Sequence, residues 1–583
     1  MAKKKKVDMI TLGLVNNFLY SVVDEMTLGL VRTSFTPLCR EAFDFQCGLC
    51  HVNGEMIIEG EGTLVHSLVY PTLVRNWLKE HKKSIYPGDF IVTNDPYSEA
   101  SHLPDLYCWY PIFVEGKLAA WAVAGGHQID VGGSTPGSCA CDSTEIYQEG
   151  LRIPPMKLYD RGTPNESLFK IIKASTRVPE LAVGDIEAYR TACQIGERRF
   201  VELAKRHGWK ELNFYLNYLL DYAEKLMRAE IRAMPDGDYE FTDYLDDDGI
   251  DRDRPIKIHV KITVSGDEIT YDFTGTSPQV KGAINNPYNS AKAIIVTALR
   301  NMTDPDIPRN SGVFRPVKLI IPEGNLLNPK LPAAVAGKGV TFSRICDVLL
   351  GAEAQIAPNK IPACCAGNDT LVMIGGYDAA GKAFIDGETN WGGWGGRPFS
   401  DGVDFCTPPF SNASNQPCET NEERYPMIMY GQYAYVSDTE GPGKYRGSLS
   451  VARDWIFLGE EAVLQLRTDR QKFPPYGLYG GKSGALSESI INPGTENRRV
   501  GKTTLRLKKG DTYRLLTQGG GGWGDPLKRD INMVLEDVRN EKVSVKRAKE
   551  AYGVVIHPKT LEIDVQATQL LRETMKSKGG GGE

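Results

Sequence analysis

Residues 105–130, DLYCWYPIFVEGKLAAWAVAGGHQID, contain two apolar runs that meet at Glu115-Gly116. Each run has the length of a β-strand and is rich in aromatic and small apolar residues, and the Glu-Gly step is typical of a tight turn. We therefore expect two neighbouring antiparallel strands. Such a pair could return His127 to the side of Asp105.

The residues before and after this stretch predict a further strand and long helices. Residues 88–97, GDFIVTNDPY, indicate a strand that ends in a turn. Apolar residues recur at steps of three and four over residues 11–33, which predicts a buried amphipathic helix. The segment 185–233 shows the same spacing and is rich in Ala, Glu, Leu, Lys and Arg, so we expect two helices there.

The pattern changes near Met234-Pro235-Asp236-Gly237, after which alternation typical of strands dominates, as in IKIHVKITVSG. One or two helices are expected around residues 290–301 and 345–356. We predict a mixed α+β fold with an N-terminal α/β region (1–235), a β-rich domain (236–530) and a helical tail (531–583). The glycines at 579–582 predict a flexible end.

Composition excludes several classes of protein. The chain has 583 residues, 41% of them hydrophobic, and a net charge of -6, which argues against a nucleic-acid binder. The basic run Lys3 to Lys6 is expected to be a solvated tail. No segment approaches the roughly 20 apolar residues that span a membrane, and no signal peptide is apparent. A cytoplasmic protein is the simplest interpretation.

Two of the eight histidines lie in short polar segments close to the two strands. NDPYSEASHLPD contains His102 and Asp105, and GGHQIDVGG contains His127 and Asp130. Imidazole and carboxylate ligands together suit Zn, Mn or Fe(II). The His-x-x-Asp spacing alone is equally compatible with ordinary hydrogen bonding, so the pattern leaves both interpretations open. Asp44 is a further acidic candidate that spacing does not select.

Other motifs indicate that this chain does not bind ATP by a phosphate loop. Gly376 to Lys382 nearly matches that loop, but Ala383 replaces the required Ser or Thr and a strand follows, so a hairpin turn is expected. Cys47-Gly-Leu-Cys50 has the spacing of a zinc or redox pair but lacks a second such pair, which favours core thiols.

Motifs along nearly the whole chain resemble the hydantoinase B family. They include RTSFTPLCREAFDF, NDPYSEASHLPD, GGHQIDVGGSTPGS, EIYQEGLRIPP, GGWGGRPFSDG and GGGGWGDP. That family includes B subunits of ATP-dependent N-methylhydantoinases and lactamases, the C-terminal half of 5-oxoprolinase, and subunits of acetone and acetophenone carboxylases. The chain departs from the usual pattern at DFQCGLC and at GTLVHSLVYPTLV, where His66 keeps the histidine. We expect these departures to line the substrate pocket.

The resemblance implies a site and its ligands. His102, Asp105 and His127 become the metal ligands and the catalytic centre, with Asp44 as a fourth ligand. Asp130 becomes a partner that fixes the tautomer of a ligand imidazole. His66 lies beside the site without binding the metal. The N-terminal region is therefore expected to bear the metal, Zn or Mn and less readily Fe.

The resemblance also implies a partner and a reaction. ATP with Mg would bind a hydantoinase A-type subunit, which phosphorylates a small substrate. This chain would then hydrolyse the activated cyclic amide, such as a hydantoin, a lactam or 5-oxoproline. One alternative is an ATP-dependent ketone carboxylase that uses bicarbonate and for which a small third subunit is expected. Another is a scaffold for the ATPase subunit without catalysis of its own.

Overall fold

The computed structural model describes residues 7–411 and 416–579 and has the mixed α+β architecture expected from the sequence. The lysine run 3–6 and the glycines 580–582 lie outside the described residues. Helices and strands alternate through the first 232 residues, and strands dominate from Gly237 to Leu516.

The helices match those predicted from periodicity. The helix expected over 11–33 is present, Asp8 caps its start, and two helices occupy the segment around 185–233. The α-helices are α1 (Met9–Thr33), α2 (Pro37–Arg40), α3 (Tyr70–His81), α4 (Glu166–Ser175), α5 (Pro179–His207), α6 (Trp209–Arg232), α7 (Tyr288–Arg300), α8 (Lys338–Ile356), α9 (Cys418–Arg424), α10 (Ile531–Arg539), α11 (Val545–Tyr552) and α12 (Val565–Gly579). Short 3-10 helices include Leu64–Val69 and Ser311–Phe314.

The strands form four sheets among the described residues. In chain order they are β1 (Phe45–His51), β2 (Met56–Glu59), β3 (Phe90–Thr93), β4 (Asp105–Val114), β5 (Lys117–His127), β6 (Met156–Asp160), β7 (Thr163–Pro164), β8 (Gly237–Leu245), β9 (Ile256–Ser265), β10 (Glu268–Asp272), β11 (Val317–Ile320), β12 (Thr370–Tyr377), β13 (Ala383–Asn390), β14 (Ile428–Val436), β15 (Ser450–Phe457), β16 (Glu461–Arg467), β17 (Glu488–Ile491), β18 (Arg498–Arg499), β19 (Thr503–Lys508) and β20 (Thr512–Leu516).

The first sheet is antiparallel and has the order β2-β1-β5-β4-β3-β6-β7. β4 and β5 form the hairpin predicted from the turn at Glu115-Gly116, and its register places Asp105 opposite His127. On the other side of β5, Phe45 pairs with Gly126. The beginnings of β1 and β4 and the end of β5 therefore meet at one end of the sheet.

Both faces of this sheet are covered, which explains why its central strands are apolar throughout. Residues of α1, α5 and α6 pack with those of β1, β4 and β5 in one apolar cluster. On the opposite face, residues of α3 pack against Trp109 and Trp121. A strand that is buried on both faces is expected to be continuously hydrophobic, as DLYCWYPIFV and AAWAVAGG are.

One of the three later sheets packs against α8. The sheet β11-β10-β9-β8 shares one large apolar cluster with α7 and α8, and nearly every residue of α8 is buried. The sheets β13-β12-β16-β19 and β14-β15-β20-β17-β18 share another cluster. The proposed boundary between residues 235 and 236 falls between α6 and β8 and stays a prediction. Among the described helices, none has the length and apolarity that a bilayer crossing requires.

Candidate metal centre

The sheet brings His102, Asp105 and His127 together in its interior. Asp105 begins β4, His127 ends β5, and the two residues face each other across the hairpin. The backbone N–H of Asp105 donates to the carbonyl of His102 at 2.9 Å, which closes a turn that places both side chains on the same side. All three are buried, with exposed fractions of 2%, 1% and 6%.

Three ligand atoms form a triangle. Asp105 Oδ1 lies 2.9 Å from His102 Nε2 and 3.0 Å from His127 Nδ1, and the two nitrogens are 3.2 Å apart. Ligands bound tetrahedrally to one ion at about 2.0–2.1 Å lie about 3.3 Å from one another. Within the described residues, these three form the one group of histidine, cysteine or acidic side chains with such spacing.

The protonation of His102 suits metal binding. Its Nδ1 lies 3.0 Å from the carbonyl oxygen of Ala336, which only accepts, so Nδ1 carries the proton and donates it. Burial lowers the pKa of His102 to about 3, so the ring is neutral at pH 7 and Nε2 carries a lone pair. A backbone contact that fixes the tautomer of a ligand histidine is typical of metal sites.

Unlike His102, both His127 and Asp105 are charged at pH 7 in the metal-free chain. Burial lowers the pKa of His127, but the hydrogen bonds with Asp105 and Cys139 and the charge of Asp105 together outweigh burial and raise that pKa to about 10. Burial raises the pKa of Asp105, but the positive charge of the neighbouring histidines and of Lys338 together outweighs burial and keeps that pKa well below its ordinary value. Without metal, the Nδ1 proton of His127 therefore lies between Asp105 Oδ1 and His102 Nε2.

This arrangement fits a divalent cation. Asp105 Oδ1 and His102 Nε2 are both acceptors yet lie 2.9 Å apart, a contact that is unfavourable unless a positive charge sits beside them. The proton of His127 supplies that charge in the metal-free chain. One carboxylate oxygen and two imidazole nitrogens suit Zn or Mn better than Ca, which prefers oxygen ligands throughout.

Asp44 and His66 line a cavity that His102, Asp105 and His127 also line. The backbone N–H of His127 donates to the carbonyl of Asp44 at 3.0 Å, because Asp44 immediately precedes β1. The Asp44 carboxylate contacts His66 Nε2 at 3.1 Å and lies outside the group of three. His66 Nδ1 is 3.0 Å from the hydroxyl of Tyr107, so His66 links Asp44 to the sheet.

Asp130 does not supply the contact that orients either ligand imidazole. Its carboxylate accepts hydrogen bonds from the backbone of Gly137 and Arg177, from the Thr176 hydroxyl, and from the Arg177 guanidinium at 3.0 Å. Ala336 supplies that contact for His102, while His127 Nε2 faces the Cys139 thiol at 3.8 Å.

Two residues that were not predicted from the sequence, Lys338 and Glu149, hold parts of the site in place although they are remote from it in sequence. Lys338, 3% exposed, places Nζ 3.1 Å from Asp105 Oδ2, the oxygen that faces away from the histidines. Glu149 Oε1 accepts the backbone N–H groups of Val335 at 2.7 Å and Ala336 at 2.8 Å, which fixes the carbonyl that orients His102. Burial raises the pKa of Glu149 to about 8.

A cavity of about 40 Å³ adjoins the three candidate ligands. Its polar wall contains Lys338 and the ion pair of Asp369 with Arg467, and its apolar wall contains Leu38, Phe342 and Trp391. The Nε of Arg467 has no hydrogen-bond partner among the described residues. The cavity thus presents cationic groups beside the three candidate ligands.

The other sequence predictions can be compared with the same geometry. Of the two departures from the family pattern, the segment with Thr63, Val65 and His66 lines the cavity. Cys47 and Cys50 instead lie buried in β1, and burial raises the pKa of Cys47 to about 12, so both are core thiols. The near match to a phosphate loop is the hairpin turn between β12 and β13.

Comparisons with known proteins agree with this architecture. The family model described as hydantoinase B/oxoprolinase matches residues 8–526. The caprolactamase subunit beta of Pseudomonas jessenii is 30% identical over 564 residues, which cover 94% of this chain and 96% of that protein. The crystal structure of the ATP-dependent caprolactamase from the same organism superimposes with a TM-score of 0.89 at 29% identity, covering 98% of this chain and 100% of that one.

A nucleotide-free structure of acetone carboxylase also has this fold. Its TM-score is 0.88, and the match covers 99% of this chain and 84% of that chain. The identity is 17%, so this likeness shows the fold alone.

Proposed function

Because the chain belongs to the hydantoinase B/oxoprolinase family, we propose that it is the metal-bearing subunit of an ATP-dependent complex that hydrolyses a cyclic amide. The observation that carries the proposal is the buried triangle of His102 Nε2, Asp105 Oδ1 and His127 Nδ1 beside a cavity. A relative named as the beta subunit of a caprolactamase supports both the lactam-type substrate and the existence of a partner.

The proposed ligands are His102, Asp105 and His127, with Asp44 as the fourth. Zn and Mn are the preferred candidates for the donor set, with Fe(II) as a third. When bound, such a metal supplies a Lewis acid that polarises the reacting oxygen and lowers the pKa of water.

The chain's own residues perform the remaining tasks. Ala336 keeps the His102 ring in the tautomer that presents Nε2 to the cavity, and Lys338 holds Asp105 so that Oδ1 faces the histidines. Lys338 and Arg467 bring positive charge to the cavity wall, where negative charge develops on oxygen during acyl chemistry. His66 keeps the Asp44 carboxylate on the same wall. Leu38, Phe342 and Trp391 limit the access of bulk water.

An unstrained amide is a poor electrophile, so hydrolysis at neutral pH requires activation. We propose that a hydantoinase A-type partner binds ATP with Mg and phosphorylates the amide oxygen of a small cyclic substrate. This chain then directs water at the activated ring carbon. A cytoplasmic location is proposed with this function.

Metal analysis tests the first half of the proposal. The purified chain is expected to hold about one divalent ion, because the four proposed ligands form a single site. His102→Ala and His127→Ala should lose it, whereas His557→Ala, which replaces an exposed histidine in the C-terminal region, should retain it. If the first two variants keep their metal, the assigned site is wrong.

Reconstitution tests the second half. We expect the chain to co-purify with an ATP-binding partner, and ATP turnover by that complex to depend on a hydantoin, a lactam or 5-oxoproline. Turnover that requires acetone or acetophenone with bicarbonate would replace hydrolysis by carboxylation. A complex in which His102→Ala leaves turnover unchanged would favour a scaffold role for this chain.

A further inference from the structure

A second cavity, of about 310 Å³, lies between α3, α7 and the 3-10 helix Ser311–Phe314. It is separate from the metal centre. The 3-10 helix Leu64–Val69 separates the two, because Val65 and His66 line the metal-site cavity and Leu68 lines this one. Its volume is at the lower end of the range for small-molecule sites.

One wall of this cavity carries positive charge without partners. Lys292 on α7 and Arg75 on α3 both line it. Unlike Arg300 and Arg315, which bind Glu59 and Glu55, neither forms an ion pair or a side-chain hydrogen bond with any described residue. Lys292 is half-buried and Arg75 is exposed, and no carboxylate pairs with either, so a bound anion would meet positive charge here.

The carboxylates nearby are already engaged. Glu55 lines the cavity, but its Oε1 lies 2.9 Å from the guanidinium of Arg315. Glu99 acts on Lys292 from beyond ion-pair distance, and its Oε2 accepts a hydrogen bond from Asn289 at 2.7 Å. Burial lowers the pKa of Lys292 to about 8, because neither water nor a nearby carboxylate fully stabilises the charged amine.

A third polar group and an apolar wall complete the cavity. The hydroxyl oxygen of Ser311 accepts the backbone N–H of Met56 at 2.7 Å, so its own proton is free to be donated. Arg315, which pairs with Glu55, also lines the cavity. The rest of the lining is apolar or aromatic and includes Leu68, Val296, Phe314, Val317 and Leu319. The cavity therefore combines donors at one side with an apolar surface at the other.

From these features we propose that this cavity binds a small organic anion, with its carboxylate or phosphate group on Lys292, Arg75 and Ser311 and its hydrocarbon part against the apolar wall. The site is independent of the metal and of the reaction proposed above. Nothing in it requires the partner subunit, so the full chain alone can be tested.

Calorimetric titration of the full chain with matched probes tests the ligand class. Hexanoate and hexyl phosphate carry the two head groups on one tail, hexanamide is the neutral counterpart of hexanoate, and inorganic phosphate lacks the tail. We expect saturable binding of one of the first two at concentrations of about 1 mM or less, and the tighter of them identifies the head group. Failure of both, equal binding of hexanamide, or equal binding of inorganic phosphate would overturn the proposal.

Substitution locates the site. Lys292→Met removes the charge and shortens the unbranched side chain by one atom. It is expected to weaken binding by at least about tenfold, the usual effect of losing a charge-assisted hydrogen bond. Lys382→Met, at the exposed turn between β12 and β13, is the matched control and should bind normally. Unchanged binding by Lys292→Met would show that the anion binds elsewhere.

Chemical labelling of the unsubstituted chain tests whether the anion binds at Lys292, even if Lys292→Met folds poorly. An amine-specific acetylating reagent followed by peptide mass analysis reports each lysine separately. The bound anion should slow acetylation of Lys292 and leave that of Lys382 unchanged. Equal acetylation of Lys292 with and without the ligand would contradict the assignment.

Discussion

Lys338 Nζ lies 3.1 Å from Asp105 Oδ2, so the two oxygens of one buried carboxylate face a lysine on one side and two histidines on the other. Lys338 is the first residue of α8, and Asp105 is the first residue of β4. This ion pair joins the central helix to the sheet that holds the proposed ligands. It also restricts Asp105 to offering a metal a single oxygen.

Lys338→Met should therefore destabilise the metal-free chain. Removing Lys338 leaves the buried charge of Asp105 balanced by protonated His127 alone, and breaking a buried ion pair costs up to about 3–5 kcal/mol. We expect a lower urea midpoint for Lys338→Met and an unchanged midpoint for Lys382→Met, whose lysine is exposed and forms no ion pair with any described residue. Equal midpoints for the two variants would mean that Lys338 does not balance the charge of Asp105.

Metal binding should release a proton. The hydrogen bonds with Asp105 and Cys139 and the charge of Asp105 together outweigh burial and raise the pKa of His127 to about 10. This ring is therefore protonated at pH 7 in the metal-free chain, and a metal on Nδ1 must displace that proton. His102 releases none, because burial lowers its pKa to about 3. Calorimetric titration with Zn in buffers of different ionisation enthalpy should count about one proton per ion at pH 7.

The competition between the metal and the His127 proton also determines how metal affinity changes with pH. Below pH 10 the metal competes with the His127 proton, so the apparent affinity should fall about tenfold for each unit of decreasing pH around neutrality. In the metal-free chain the raised pKa of His127 stabilises the fold below pH 6.5, and this contribution is lost as the pH rises towards 10. Metal binding without proton release would place the ion on other atoms.

The part of the site that sequence could predict is the part that local geometry determines. The His-x-x-Asp spacing brings His102 to Asp105 within one turn, and the hairpin turn at Glu115-Gly116 fixes the register that returns His127 opposite Asp105. The helix over 11–33 is predictable for the same reason, because its apolar spacing reports a single buried face.

The rest depends on contacts between distant parts of the chain. Asp130 has the same spacing from His127 as Asp105 has from His102, yet it binds Arg177, a residue that no local pattern connects to it. Ala336 and Lys338 lie more than 200 residues from the histidines and reach them only because α8 passes through the core. Their surrounding sequence, AVAGKGV, contains no periodicity that predicts such a contact.

Glu149 should control metal affinity without touching the metal. Its Oε1 binds the N–H groups of Val335 and Ala336, and the Ala336 carbonyl orients His102. Glu149→Gln retains an acceptor oxygen and should bind Zn nearly as the original chain does. Glu149→Ala leaves two buried N–H groups without an acceptor and should weaken binding by about 10–100-fold, as other losses of support around metal ligands do. Competition with a chelator measures both, and equal affinities would exclude this role.

Gly339 should tolerate no side chain, although helices ordinarily favour alanine over glycine. A Cβ atom on Gly339 would lie 2.1 Å from Asp369 Oδ2 and 2.9 Å from the guanidinium carbon of Arg467, so Gly339→Ala must displace this buried ion pair. We expect a loss of about 1–3 kcal/mol, the usual cost of overpacking. Gly13→Ala is the matched control, because Gly13 is exposed in α1 and its Cβ would meet no atom within 4 Å.

The control should gain up to about 1 kcal/mol from the higher helix propensity of alanine. The two substitutions are chemically identical and both lie in helices, so their urea midpoints should move in opposite directions. The displaced Arg467 also lines the metal-site cavity, and Gly339→Ala should therefore reduce the activity of the reconstituted complex while Gly13→Ala does not. If the Gly339→Ala and Gly13→Ala variants were equally stable and equally active, the Asp369–Arg467 ion pair would not be packed against the start of α8.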